Sequence, residues 1–142
     1  MESWLFYALL SAISAAFVSI FGKVGLSGVD SNVATAIRAI IMALFLVGVV
    51  AAQGNLTHLS DAFSDKRGLL FIALSGIAGA TSWLFYFMAL KTGNVSQVAP
   101  IDKLSVVFAV ILAVLIFGEK VSLVHGLAIG MIAVGGLILA IF

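Results

Sequence analysis

Apolar runs of near-equal length alternate with short polar breaks along the whole chain. The first run extends from about Trp4 to Gly25 and is closed by Lys23, Gly25 and Gly28. Asp30, Ser31 and Asn32 form the next break, and Asp30 or Ser31 can cap the helix that follows. The second run covers 31–53. The third covers 68–90 and ends at Lys91-Thr92-Gly93-Asn94. The fourth covers 95–117 and ends at Gly118-Glu119-Lys120, and the fifth covers 122–142. A bilayer core of about 30 Å takes roughly 20 apolar residues per helix. Open backbone groups find no partner in hydrocarbon, so each span must be helical. The pattern predicts an all-α integral membrane protein, one transmembrane domain over residues 1–142 with five helices.

The one long connection is 54–67. Leu56, Leu59 and Phe63 recur there at spacings of three and four, which fits either a short amphipathic helix on the interface or a plain polar loop.

Composition strengthens the membrane assignment. Hydrophobic residues make up 63% of the chain and charged ones 9%, against roughly 45–50% and about 25% in soluble domains. A soluble fold this short could not cover so much apolar surface, so membrane lipid is the expected partner. A net charge of +1 offers no basic face for nucleic acid. The absence of cysteine excludes disulfides and thiolate metal sites. Met1-Glu2-Ser3-Trp4 lacks the positive start of a cleavable leader, so the first span is expected to stay.

Ionisable groups inside a span cost about 2.5–3.5 kcal/mol each on insertion scales and mark functional candidates. Arg38 stands seven residues beyond Ser31 in the second span, about 10 Å deep at 1.5 Å per residue. Asp102 and Lys103 stand at a similar depth in the fourth span, which enters from the same side. Trp83 and Tyr86 of the third span, and Ser19 of the first, are expected near this layer. Pro100 lies inside the fourth run, where it removes a backbone donor, frees the Ser96 carbonyl and kinks the helix. Two readings of the charges stand. Arg38 and Asp102 form a structural bridge while Lys103 snorkels to the headgroups, or the layer lines a substrate cavity.

Small residues give a second pattern. Ala8, Ala12, Ala15, Ser19 and Gly22 share one face of the first span. Gly126 and Gly130 form a Gly-x-x-x-Gly pair in the fifth, continued by Ala133 or Val134 and by Gly136. The pair serves either a dimer seam or packing within the chain. Gly76, Gly79, Trp83, Tyr86 and Leu90 form a further stripe on the third span. No Ser/His/acid set is apparent, and His58 and His125 lack ligand spacing. The chain therefore reads as no enzyme, without a cofactor or metal.

Ala89-Leu90-Lys91, Val98-Ala99-Pro100-Ile101, Gly118-Glu119-Lys120, and Gly126 with the small-rich last helix together resemble the EamA family of the drug/metabolite transporter superfamily. Arg38-Ala39 also resembles that family's pattern. The resemblance implies one five-helix repeat, usually found twice per chain as inverted repeats of a ten-helix carrier for small molecules. A chain with one repeat would be a half-transporter of the bacterial or archaeal plasma membrane, needing a partner copy. The expected assembly is an antiparallel homodimer, or a heteromer with another half-transporter. The related small multidrug resistance proteins place a proton-binding glutamate in the first helix. Here Trp4 to Gly22 contains no acid, which argues against export of lipophilic cations by that chemistry. Two cations and one anion in the charged layer lean toward anionic or zwitterionic solutes. The rival functions are a non-transporting membrane subunit of a larger complex and a translocator of lipids or lipid-linked sugars.

Overall fold

The computed structural model describes residues 3–141. They form α1 (Ser3–Gly25), α2 (Ser31–Ala52), a 3₁₀ turn (Asn55–Thr57), α3 (His58–Ser64), α4 (Lys66–Thr92), α5 (Val95–Asp102), α6 (Ser105–Phe117) and α7 (Leu123–Ile141). Five stretches are long and apolar enough to cross a bilayer: α1, α2, α4, α5 with α6, and α7. The expected last residue of the fifth helix, Phe142, lies outside the described residues. Most large apolar side chains on the spans are exposed. Among the described residues the buried apolar set is Leu26, Tyr86, Phe87 and Leu90. Exposed apolar surface on this scale requires lipid as the solvent.

Local chemistry fixes the helix ends. The Asp30 carboxylate accepts from the N–H groups of Asn32 at 2.9 Å and Val33 at 3.2 Å, so Asp30 rather than Ser31 caps α2. The Asp65 carboxylate accepts from the Gly68 N–H at 3.0 Å. This cap draws Lys66 and Arg67 into the first turn of α4, which therefore begins two residues before the apolar run does. Gly118 ends α6 at φ 67°, a left-handed conformation that glycine adopts without steric cost. Ser122 caps α7 by accepting from the His125 N–H at 3.3 Å, and its hydroxyl also lies 2.6 Å from His125 Nδ1. In the long connection, the 3₁₀ turn and α3 give the helical alternative. Leu56 and Phe63 are exposed there, and His58 Nδ1 lies 3.2 Å from the Asp61 carboxylate. The side chain of Leu59 lies outside the described residues.

The chain divides into two compact units, one of Met1–Lys23 with Thr92–Phe142 and the other of Val24–Lys91. In the first, the fourth span is broken, and the break falls just after Pro100 rather than at it. Helical geometry persists to Asp102. The N–H groups of Lys103 and Leu104 then bond to the carbonyls of Pro100 and Ile101 at 3.1 and 2.9 Å, the tighter three-residue spacing. α5 packs on α7 at this point. A Cβ built on Gly136 would lie 3.1 Å from the Pro100 carbonyl oxygen and 3.5 Å from Leu104 Cδ2, so a larger residue there would force the helices apart by a few tenths of an ångström. At the end of α1, the Lys23 ammonium donates to the Gly93 carbonyl at 2.7 Å. In the second unit the Lys91 ammonium donates to the Val29 carbonyl.

Gly136→Ala is expected to destabilise the protein by about 1–3 kcal/mol, the usual range for overpacking. Gly76→Ala meets nothing within 4 Å and is expected to be neutral or slightly stabilising through helix propensity. Unfolding in mixed micelles, followed by circular dichroism, checks both. Equal stability of the two variants would refute the close approach at Gly136.

Candidate functional site

The second unit holds a polar and aromatic constellation inside a span. Ser31, Thr35 and Arg38 recur on α2 at spacings of four and three, which places them on one helix face. Ser31 and Thr35 are buried. The Thr35 hydroxyl donates to the Ser31 carbonyl at 2.7 Å, so α2 meets that need itself. Arg38 has no such local solution. Its side chain is longer than a turn of helix, and it looks to α4 for company.

α4 supplies three rings at the same spacings. Trp83, Tyr86 and Phe87 stand on one face, with Tyr86 and Phe87 buried. Trp83 lies 5.4 Å from Tyr86, nearly perpendicular at 82°, and 5.9 Å from Phe87. Tyr86 and Phe87 lie 6.3 Å apart at 81°. These are the offset and edge-on arrangements that aromatic quadrupoles favour. The assembly offers the face of Trp83, and Arg38 takes it. The guanidinium carbon sits 3.6 Å from the Trp83 ring centroid and 5.4 Å from that of Phe87. A cation over an indole gains about 2 kcal/mol or more where water is excluded, a scale comparable with the insertion cost of the charge.

The ring face meets the charge without using the guanidinium N–H groups. Within this unit, no carboxylate lies in ion-pair range of Arg38 among the described residues, and none of its donors has an acceptor there. The arrangement therefore does two things. It holds a positive charge within an apolar helix long enough to cross a bilayer, and it leaves the guanidinium donors without an acceptor in this unit among the described residues.

The sequence brought Arg38, Trp83 and Tyr86 forward, and the structure joins them in one cluster. It adds Phe87 and Thr35, which sequence reading passed over. Both could have been found from spacing, since Phe87 is four residues after Trp83 and Thr35 three before Arg38. The other expected residues belong to the first unit. Asp102 has Lys103 as its ion partner, with Oδ2 to Nζ at 3.4 Å. The expected Arg38–Asp102 bridge joins residues of different units; within its own unit each group has the surroundings just described. Ser19 is buried and donates its hydroxyl to the Ala15 carbonyl at 3.2 Å. Pro100 lies beneath Gly136 at the helix break. Gly126 and Gly130 meet nothing within 4 Å of a built Cβ, so of the α7 glycines Gly136 makes a close contact inside the chain and these two do not.

Residues 2–141 match the model of the EamA-like transporter family. An uncharacterised transporter in the cobO 3′ region of Sinorhizobium sp is 45% identical over 141 residues, spanning 99% of each chain. No solved structure matches.

Proposed function

Because the chain belongs to the EamA-like transporter family, we propose that it carries small polar metabolites across the cell membrane by alternating access, as an antiparallel homodimer of half-transporters. The observation that carries this reading is the Arg38 guanidinium held on Trp83 inside a span, because intramembrane charge marks substrate and ion pathways. The broken fourth span supports it as well. Carriers built from inverted repeats use interrupted helices at their binding sites, and here α5 gives way to α6 immediately after Asp102. The dimer finds support in α7. Gly126 and Gly130 are unobstructed within the chain, and small residues at this spacing let helices of two copies approach closely. Arg38 with Trp83 and Tyr86 would hold the solute.

The purified chain in liposomes, loaded with a metabolite extract and given radiolabelled solutes outside, is expected to show saturable counterflow without any second protein. Complete absence of counterflow, with flux appearing only when another half-transporter is co-reconstituted, would remove the homodimer from this reading.

A further inference from the structure

We propose that the Arg38–Trp83 stack is an oxyanion-binding site, and that the solute bound there carries a carboxylate or phosphate group; the word solute rests on the transporter reading, the site does not. Three observations lead there. The guanidinium carbon sits over the Trp83 ring, 3.6 Å from its centroid, and 5.4 Å from that of Phe87, so the aromatic contact engages the charge and takes no N–H hydrogen bond. Arg38 belongs to no ion pair within its unit among the described residues, and no N–H of its fork has an acceptor there. Thr35, the nearest polar side chain along the same face of α2, has already given its hydroxyl to Ser31.

A planar fork of five donors is built for two parallel bonds to a carboxylate or phosphate. No other small-molecule class answers both needs. A cation would be repelled, and a neutral hydroxyl or amide would satisfy one donor while leaving the charge uncompensated at a depth of about 10 Å. A quadrupole contact compensates a cation without consuming its hydrogen-bonding capacity. That distinguishes this arrangement from a structural salt bridge, in which a carboxylate of the protein would already occupy the edge. The same chemistry can come from a free solute or from a phospholipid headgroup, and the experiment separates them.

Trp4 and Trp83 are the two tryptophans, so Trp4→Phe leaves Trp83 as the reporter. In a non-ionic maltoside detergent, sodium acetate and inorganic phosphate are expected to shift Trp83 emission saturably, while sodium chloride, choline chloride and glycerol do not. Arg38→Gln is expected to weaken the response by about 10- to 100-fold, as for loss of a charge-assisted pair. Arg38→Lys keeps the charge but not the fork and should also weaken it. If Arg38→Gln fails to give a monodisperse helical protein, Arg38→Lys carries the test. A response to added phosphatidylglycerol but to neither free anion assigns the oxyanion to the lipid headgroup and overturns the solute. No Arg38-dependent response to any of them overturns the site. Binding of acetate or phosphate by a chain without counterflow would defeat the transporter reading and leave the site standing. Counterflow of neutral or cationic solutes that ignores Arg38→Gln, with no Arg38-dependent response to either anion, would do the reverse.

Discussion

Trp83→Leu is expected to lower both the stability of the protein and its transport, the former by about 2–4 kcal/mol. Leucine keeps apolar bulk on α4 but has no quadrupole. The Arg38 guanidinium, now 3.6 Å from the indole centroid, would keep its desolvation cost and lose its compensation. The rings of Tyr86 and Phe87 would also lose their common neighbour. Trp83→Phe retains a ring face with a weaker field and should fall between the two. A double-mutant cycle identifies the cause. Arg38→Met together with Trp83→Leu removes charge and ring at once, so folding should recover while uptake should not. Stability is read from unfolding in mixed micelles and uptake from counterflow. Additive losses in the cycle would mean that ring and guanidinium act separately, which the stack does not allow.

The spans were legible because run length is a direct physical requirement of the bilayer. The expected 4–25, 31–53, 68–90, 95–117 and 122–142 differ by a few residues from Ser3–Gly25, Ser31–Ala52, Lys66–Thr92, Val95–Phe117 and Leu123–Ile141. The differences come from caps that hydropathy cannot see, such as Asp65 drawing two cations into α4 and Ser122 standing outside α7. Arg38 was legible as a candidate from the insertion cost of charge, and its neighbours Trp83 and Tyr86 from helical spacing. What Arg38 rests on was not. Opposite charge at equal depth pointed to Asp102, which belongs to the other unit, and a charge rule gives no weight to the ring face that Arg38 meets within its own unit. The indole competes well in hydrocarbon because its stabilisation requires no second ion to be desolvated. The small-residue stripe on α7 was likewise visible only as a set. Gly136 lies away from the line of Gly126 and Gly130 around the helix. It took the contact with Pro100 to show that one seam serves the chain while the other two glycines are left open.

Locking every copy in one orientation is expected to abolish transport by the chain expressed alone. Orientation follows the excess of Lys and Arg in short loops on the cytoplasmic side. Lys23 and Lys91 lie on one side of the five spans, and Lys66, Arg67 and Lys120 lie on the other. Arg38 is engaged on Trp83 and the exposed Lys103 lies 3.4 Å from Asp102; counting both at the headgroups would make it four against three. Two against three, like four against three, is too even to choose a side, and both orientations are expected in one membrane. An antiparallel pair would set two charged layers, each about 10 Å deep, roughly 10 Å apart across the middle of a ~30 Å core. Inverted-repeat carriers bind their substrates at this level. Gly28→Lys, Asn94→Lys and Lys120→Gln shift the count to four against two. Gly28 stands in open space, and the Asn94 side chain makes no cap bond, so the fold should tolerate both lysines. Gln53→Lys with Glu119→Lys shifts it the other way, to two against five. A C-terminal reporter should read both faces for the unaltered chain and a single, opposite face for each locked version. Uptake should fall at least about tenfold for either version alone, a loss equivalent to about 1.4 kcal/mol, and return when the two are co-expressed. Full uptake by one locked version in isolation would show that the functional assembly is parallel, and the pairing of opposite orientations would have to be given up.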